Sequence, residues 1–297
     1  MKKILCIGNV SYDITVPLDN YPTENIKYRV DEKIGCGGGP ASNAAYLLGK
    51  WGMNVSFAGV IGKDDLGKKI IDEFKTVSVN IKNVDIDKTH DTTISFIIVN
   101  KSNGSRTVFS NKKDMKLSKK VKMKADVILV DGQEFEASVD IIKRNPNAIT
   151  VIDAGSVRGE VVELSKLVDY VVCSKNFAED YTKIKIDVED KTKINEIYEK
   201  MEQDFKNVII TLEEKGCLYK KDNIIKRMPS IDVEAIDSTG AGDFFHGAFV
   251  YCLAKGLDIE KTVMISNITG ALSVTKVGSR FSAPDIEQVF QVYNKRV

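Results

Sequence analysis

The chain is poor in the residues on which several kinds of chemistry depend. Only two histidines occur in 297 residues, His90 and His246, far apart in sequence. That excludes a histidine-rich metal centre and argues against a Ser-His-Asp hydrolase. The five cysteines, Cys6, Cys36, Cys173, Cys217 and Cys252, are odd in number and form no C-x-x-C pair. They read as reduced thiols of a cytoplasmic protein rather than as a disulfide framework. Four of them lie in apolar runs and read as core; Cys36 is the exception, set among glycines. No apolar run reaches the roughly 18 residues of a transmembrane helix. The opening Met-Lys-Lys-Ile-Leu-Cys-Ile-Gly has too short an apolar stretch for a signal peptide and no small-residue cleavage site. An excess of one charge is lacking too: 43 Lys and Arg stand against 42 Asp and Glu. Neither nucleic acid nor a membrane is an expected partner on net charge. A basic run, Lys112, Lys113, Lys116, Lys119, Lys120, Lys122 and Lys124, is broken by acids and apolar residues without interleaved aromatics, and reads as a solvated surface. There is no G-x-x-x-x-G-K-[ST], which excludes a P-loop.

What is present is an alternation. Short β-branched runs at 3–8, 55–60, 126–131, 149–153, 170–173 and 208–211 are apolar without a two-residue period, as expected of strands buried on both faces. Helical patterns at 40–51, 66–77 and 194–205 lie between several of them. Strand–helix–strand alternation implies a three-layer α/β/α domain around a mostly parallel sheet. After residue 240 the pattern turns helical, over 241–255 and 259–275, and Pro284-Asp285 opens a last helix. Two regions break the rhythm. Residues 11–36 are polar and rich in turn formers; in 91–110, TISFIIVN and SRTVFS flank an Asn103-Gly104 turn and predict a β-hairpin. Both suit a small second sheet. No repeat or low-complexity linker occurs, so 1–297 reads as one domain with an inserted lobe.

Two glycine-rich stretches carry the chemistry. In DSTGAGDFF, Gly240, Ala241 and Gly242 open a helix. Unpaired N–H groups there, backed by the helix dipole, form an anion cradle suited to a transferring phosphoryl group. Asp243, in the first turn, can take a proton from an attacking hydroxyl. An ordinary helix capped by Asp237 or Ser238 would give much the same pattern. In GCGGGPASNAA, glycines precede Pro40 at a helix start, and Asn43 lies one turn inside, able to face a hydroxylated ligand. A flexible strand-to-helix loop is the plainer alternative. A dinucleotide fingerprint fits poorly, because Gly35-x-Gly37-x-x-Pro40 lacks the third glycine.

GGGPASNAA near the start and DSTGAGDFFHGAFV near the end together resemble the paired signatures of the ribokinase, or PfkB, family of carbohydrate and nucleoside kinases. The resemblance spans essentially the whole chain. It implies a ribokinase-like fold with a small β-sheet lid, formed by segments of about 11–36 and 91–110, that often mediates a homodimer. It implies transfer of the γ-phosphoryl of ATP, with Mg2+, to a primary hydroxyl of a small sugar. Asp243 would be the general base and Gly240, Ala241 and Gly242 the anion hole. Asp13 in GNVSYDITV, with Gly38, Gly39 and Asn43, would bind the acceptor. Asn176 and Glu179 in SKNFAED resemble the N-x-x-E motif that organises magnesium and phosphate through water. Thr211, Gly216, Asn267 and Gly278 match nucleotide positions, and Asp237 and Thr239 match positions that bind a monovalent cation such as potassium in many members. One departure stands out: the family's Thr-x-Gly-x-x-Gly reads Thr211-Leu212-Glu213-Glu214-Lys215-Gly216 here, with Glu213 in place of a glycine beside the nucleotide. Arg106, on the second hairpin strand, can point into the site or into solvent, and solvent or an interface is expected. The alternatives are a nucleoside kinase of the same family, with Tyr12, Phe96 and Phe109 packing on a base, and a catalytically idle ligand-binding homologue.

Overall fold

A computed structural model describes residues 1–296. Strand β1 (Lys3–Ile7) leads into β2 (Ser11–Leu18), β3 (Ile34–Gly38), helix α1 (Pro40–Lys50), β4 (Asn54–Gly62), α2 (Asp65–Thr76) and β5 (Asn80–Asp87). Next come β6 (Ile94–Asn100), β7 (Ser105–Asn111), β8 (Val127–Val130), α3 (Phe135–Arg144), β9 (Ile149–Ala154), α4 (Gly159–Ser165), β10 (Tyr170–Ser174), α5 (Lys175–Thr182), α6 (Lys191–Met201) and β11 (Asn207–Thr211). The chain then runs through β12 (Cys217–Lys221), β13 (Ile224–Met228), α7 (Ala241–Lys255), α8 (Ile259–Ser273), α9 (Ser279–Ser282) and α10 (Ile286–Asn294).

The large sheet has the order β13-β12-β11-β10-β9-β8-β1-β4-β5. From β11 to β5 every pairing is parallel; β12 and β13 add an antiparallel hairpin at one edge. The apolar runs account for this burial residue by residue. In β1, Ile4 and Cys6 pack into one core with α1, α7 and α8, while Leu5 and Ile7 pack into the other with α3 to α6. Successive side chains leave a strand on opposite faces, so a strand covered on both needs apolar residues throughout. Strands β5, β12 and β13 escape that signature because they lie at or near the edges and are lysine- or asparagine-bearing and partly exposed. Helix α6 begins three residues before its apolar pattern, because the Asp190 carboxylate accepts from Lys193 N at 3.1 Å.

Helix α7 is buried from Phe244 to Ala254, lying against α1, α8 and the sheet. Each fully buried phenylalanine, Phe244 and Phe249 among them, contributes about 1.5–3 kcal/mol. Gly247 permits the α1–α7 crossing: a Cβ there would stand 3.0 Å from Leu47 and 3.2 Å from Ala44. All five thiols are free and buried. Cys36 is no exception, at 1% exposure, because β3 runs inward and sets its Sγ 3.6 Å from Ser279 Oγ. Among the described residues no helix is long and apolar enough to cross a membrane.

The second sheet, β3-β2-β6-β7, is built from the two irregular regions and contains the hairpin expected at Asn103-Gly104. It joins the body at both ends. Asp64 caps α2 through Gly67 N and also accepts from Thr92 N, both at 2.7 Å, fixing the entry to β6. At the far end the hairpin tip rests on the segment before α7, where Ser238 N donates to Gly104 O at 3.1 Å.

Candidate active site

The site forms where the carboxyl ends of the central strands meet the small sheet, the usual position for a ligand crevice in an open α/β sheet. Asp131, just after β8, is buried and organises this edge. Its carboxylate accepts from Asn9 N at 2.8 Å, Gln133 N at 3.0 Å and Ala41 N at 3.2 Å, tying the end of β1 to the start of α1. Burial raises its pKa against those three donors. A side chain at Gly8 would strike this carboxyl group.

Asp13 leaves β2 as a buried acid, 5% exposed, and accepts from Ser11 Oγ at 2.8 Å. Burial lifts its pKa to about 6; the Ser11 bond works against the rise and the negative charge of Asp243 adds to it. Gly38 stands opposite Ser11 in the β2–β3 register, and a Cβ there would overlap the Asp13 carboxyl group. Gly39, at φ 95°, caps α1 and passes so close to Asn9 O that a Cβ would lie 2.6 Å from it.

Asn43 on α1 reaches across to α7: its Nδ2 donates to Asp243 Oδ2 at 2.7 Å, joining residues 200 apart in sequence. Burial raises the Asp243 pKa; the Asn43 bond and the charges of His246 and Arg106 oppose the rise. Gly240 is left-handed at φ 82° and turns the chain into α7. Of the first-turn N–H groups, that of Ala241 donates to Ser238 O at 3.4 Å, and those of Gly242 and Asp243 have no carbonyl one turn back within the helix. Gly242 is exposed, and a Cβ there would meet no atom within 4 Å, so this cradle opens on free space. Asp237, buried, holds the loop from behind: Oδ1 accepts from Thr239 N at 2.9 Å and Oδ2 from Gly278 N at 2.8 Å.

The remaining predicted residues lie on α5, α8, the end of β11 and the β11–β12 connection. Thr211 Oγ1 donates to Cys173 O at 3.2 Å. Gly216, at φ 90°, packs so tightly on Met228 and Ser230 that no side chain fits. Asn267 Nδ2 donates to Met228 O at 3.2 Å, holding α8 to β13. Glu213 is exposed and left-handed at φ 56°, a backbone conformation in which a glycine would be unstrained. Asn176 is exposed on α5, but Glu179 is buried and occupied. Lys185 Nζ donates to its Oε2 at 2.6 Å and Ile186 N to its Oε1 at 2.9 Å. Burial pushes the Glu179 pKa up, yet these donors outweigh it and hold it below the usual range.

Two arginines belong to this region: Arg106, expected in solvent or at an interface, and Arg280, which no motif marks. Arg106 is exposed, but it faces the body: Nη1 donates to Ser238 Oγ at 2.7 Å beside the cradle, and its charge is felt by Asp243. The available signal was register, since Arg106 sits opposite buried Val99 on the face of the small sheet that also carries Asp13 and Ser95. Arg280 is buried under the site. It donates to Glu73 at 2.8 Å, Ser42 at 2.5 Å and Asn43 Oδ1 at 3.4 Å, with Phe74 and Tyr46 against its guanidinium. Nothing local in the sequence singles it out. Conversely, Tyr12, Phe96 and Phe109 share the opposite face of the small sheet: Phe96 pairs with Phe109 and both are exposed, while Tyr12 packs beneath Lys69. They do not line the Asp13 side.

Comparison with known proteins shows the family and the fold. The model of the pfkB family carbohydrate kinases matches residues 1–286. A ribokinase of Lactococcus lactis is 26% identical over 97% of this chain and 96% of its own length. A nucleoside kinase of Methanocaldococcus jannaschii is 23% identical over 99% of this chain and 98% of its own. The crystal structure of a ribokinase-like protein from Agrobacterium tumefaciens superposes with a TM-score of 0.89 at 23% identity, covering 99% of this chain and 98% of that one. With the family matched from its first signature through its last, the chain belongs to the pfkB carbohydrate kinases, ATP-dependent phosphotransferases that act on a sugar hydroxyl.

Proposed function

We propose that the protein phosphorylates the primary hydroxyl of a small sugar, with Asp243 as general base and residues 240–242 as the anion hole. The observation that carries this reading is the Asn43–Asp243 bond, which brings the two glycine-rich signatures into one site beside Asp13. Asp13 and Asn43 present an acceptor and an amide to sugar hydroxyls, and hold the reacting one toward Asp243. Asp243 takes the hydroxyl proton as that oxygen bonds to the γ-phosphorus. The bond from the γ-phosphorus to the bridging oxygen breaks, and ADP leaves with that electron pair. Charge spread over the phosphoryl oxygens meets the N–H groups at the start of α7, with the guanidinium of Arg106 nearby.

Asn267, Gly278, Thr211 and Gly216 would contact the nucleotide. Magnesium carried with ATP supplies charge neutralisation at the phosphates. In this reading the ion is held by phosphate and water, with Asn176 and Glu179 at a remove. Thr239 Oγ1 is buried with no hydrogen-bond partner, beside the buried Asp237 carboxylate, and these two groups fit a monovalent cation. The whole chain acts as one kinase domain. Segments 11–36 and 91–110 form its lid, which keeps water from competing as acceptor. The exposed Phe96 and Phe109 on the outer lid face suit a homodimer. A nucleoside acceptor is the second reading; the Methanocaldococcus relative favours it, whereas Tyr12, Phe96 and Phe109 lie on the sheet face opposite Asp13.

The test is Asp243→Asn assayed by ADP release over a panel of sugars and nucleosides. Turnover should fall roughly 10²–10⁴-fold, the range for loss of a general base, with little change in nucleotide affinity. A variant keeping more than about a third of wild-type turnover lies far outside that range and would remove Asp243 from proton transfer.

A further inference from the structure

His246 has no part in the reaction as described, yet it lies directly behind it. It sits on α7 one turn after Gly242 and is 4% exposed. Its Nδ1 is 2.6 Å from Gly242 O and 3.3 Å from Asp153 Oδ2; its Nε2 is 3.0 Å from Val172 O. The partners at both ring nitrogens include a backbone carbonyl, which can only accept. A neutral imidazole has one N–H and one lone pair, so either neutral tautomer would aim a lone pair at a carbonyl oxygen within 3.0 Å. Only the doubly protonated ring satisfies both, and a buried polar group left facing a like partner is costly.

We propose that His246 is a positioning residue, held as an imidazolium behind the anion hole, where it polarises the Gly242–Asp243 peptide and serves as the internal counter-charge to Asp243 and Asp153. The peptide matters because its carbonyl accepts from Nδ1 while its N–H, that of Asp243, lies in the first turn of α7 next to the anion hole and faces the Asp243 carboxylate. A charged donor on the carbonyl strengthens the N–H as a donor at the other end. The charges around the ring agree. Asp153 faces it from the end of β9. Asp131 lies behind Asp153 from β8, with Arg158 beside both. The Cys173 thiol on β10 is pushed far up by burial and the charge of Asp153 and stays neutral. Asp243 lies on the same helix, with Arg106 beyond it. The balance is acidic, and His246 is the buried cation within it. Burial lifts Asp153 to about 6, and the His246 charge is the leading influence that holds it down; the same charge acts downward on Asp243.

The inference rests on the assignment of Asp243 and the anion hole, but its first test does not. The chain has only two histidines, so two-bond 1H–15N spectra of the 15N-labelled full-length protein contain two ring systems, and His90→Asn assigns them. At about pH 7, where an unperturbed imidazole is mostly neutral, both His246 nitrogens should give the protonated pattern. An unprotonated nitrogen in that ring would overturn the proposal. The second test is the pH–rate profile of His246→Asn. Its acid limb should move to higher pH and its turnover fall about tenfold, the scale of one charge-assisted hydrogen bond, while KM for ATP and acceptor change little. An unmoved acid limb would overturn the counter-charge role. If Asp243→Asn stays active while the His246 ring is cationic, the assignment of the base fails and the buried imidazolium stands.

Discussion

The replacement Gly38→Ala tests the proposed acceptor site while leaving every polar side chain of the protein in the sequence. The new Cβ would overlap the carboxyl group of Asp13, which is buried and anchored by Ser11, so the carboxylate has to swing out of its place. Overpacking of this kind costs about 1–3 kcal/mol of stability. A carboxylate that no longer meets a buried sugar hydroxyl leaves that hydroxyl unmatched, again worth roughly 1–3 kcal/mol. At 1.4 kcal/mol per tenfold, that is a rise of roughly 5- to 150-fold in acceptor KM. In the proposed reading the adenine and phosphate contacts would come from α7, α8 and the β11–β12 connection, so KM for ATP should hold within about twofold if KM tracks binding. The assay is steady-state ADP release, varying each substrate at saturation of the other, with thermal denaturation as the check on folding. An acceptor KM that does not move, or an ATP KM that rises in step with it, would refute the placement of Asp13 in the sugar site.

Gly242→Ala should behave in the opposite way: the added methyl meets no protein atom and so leaves the melting temperature unchanged, but it projects into the cradle and should cut turnover on the order of 10²-fold, as loss of one anion-hole donor does. A variant with normal turnover would mean that phosphate does not sit there. Glu179→Gln should raise the magnesium concentration needed for half-maximal rate, and an unchanged magnesium profile would leave Glu179 as a partner of Lys185 only. Glu134, at the start of α3, gives a pH signature in stability. Burial lifts its pKa from 4.5 to about 7, against the bond from Leu117 N. Between those values the unfolded chain has released the proton and the folded chain keeps it, so stability falls as pH rises through that window. Glu134→Gln should remove that fall, a gain of roughly 2–3 kcal/mol at pH 8 and almost none at pH 4 by chemical denaturation. Equal gains at both pH values would contradict the burial argument.

The layers and the two glycine-rich loops are legible in local runs of residues. Runs such as 126–131 and 170–173 are apolar on both faces because the sheet is covered on both, a constraint written into consecutive residues. Glycines at 240 and 39 mark positive φ angles, and an acid or amide one turn into a helix is a local pattern, so Asp243 and Asn43 are legible from their immediate neighbours in the chain. Which groups meet depends on packing between distant segments. The Asn43–Asp243 bond spans 200 residues and depends on the α1–α7 crossing at Gly247. The inward reach of Arg106 depends on strand register, because a shift of one residue would send it to the other face. The outward placement of Phe96 and Phe109 follows from the same register. Arg280 and His246 carried no local signal: their roles come from acids and carbonyls supplied by distant segments, and a side chain's partners are set by packing rather than by its neighbours along the chain.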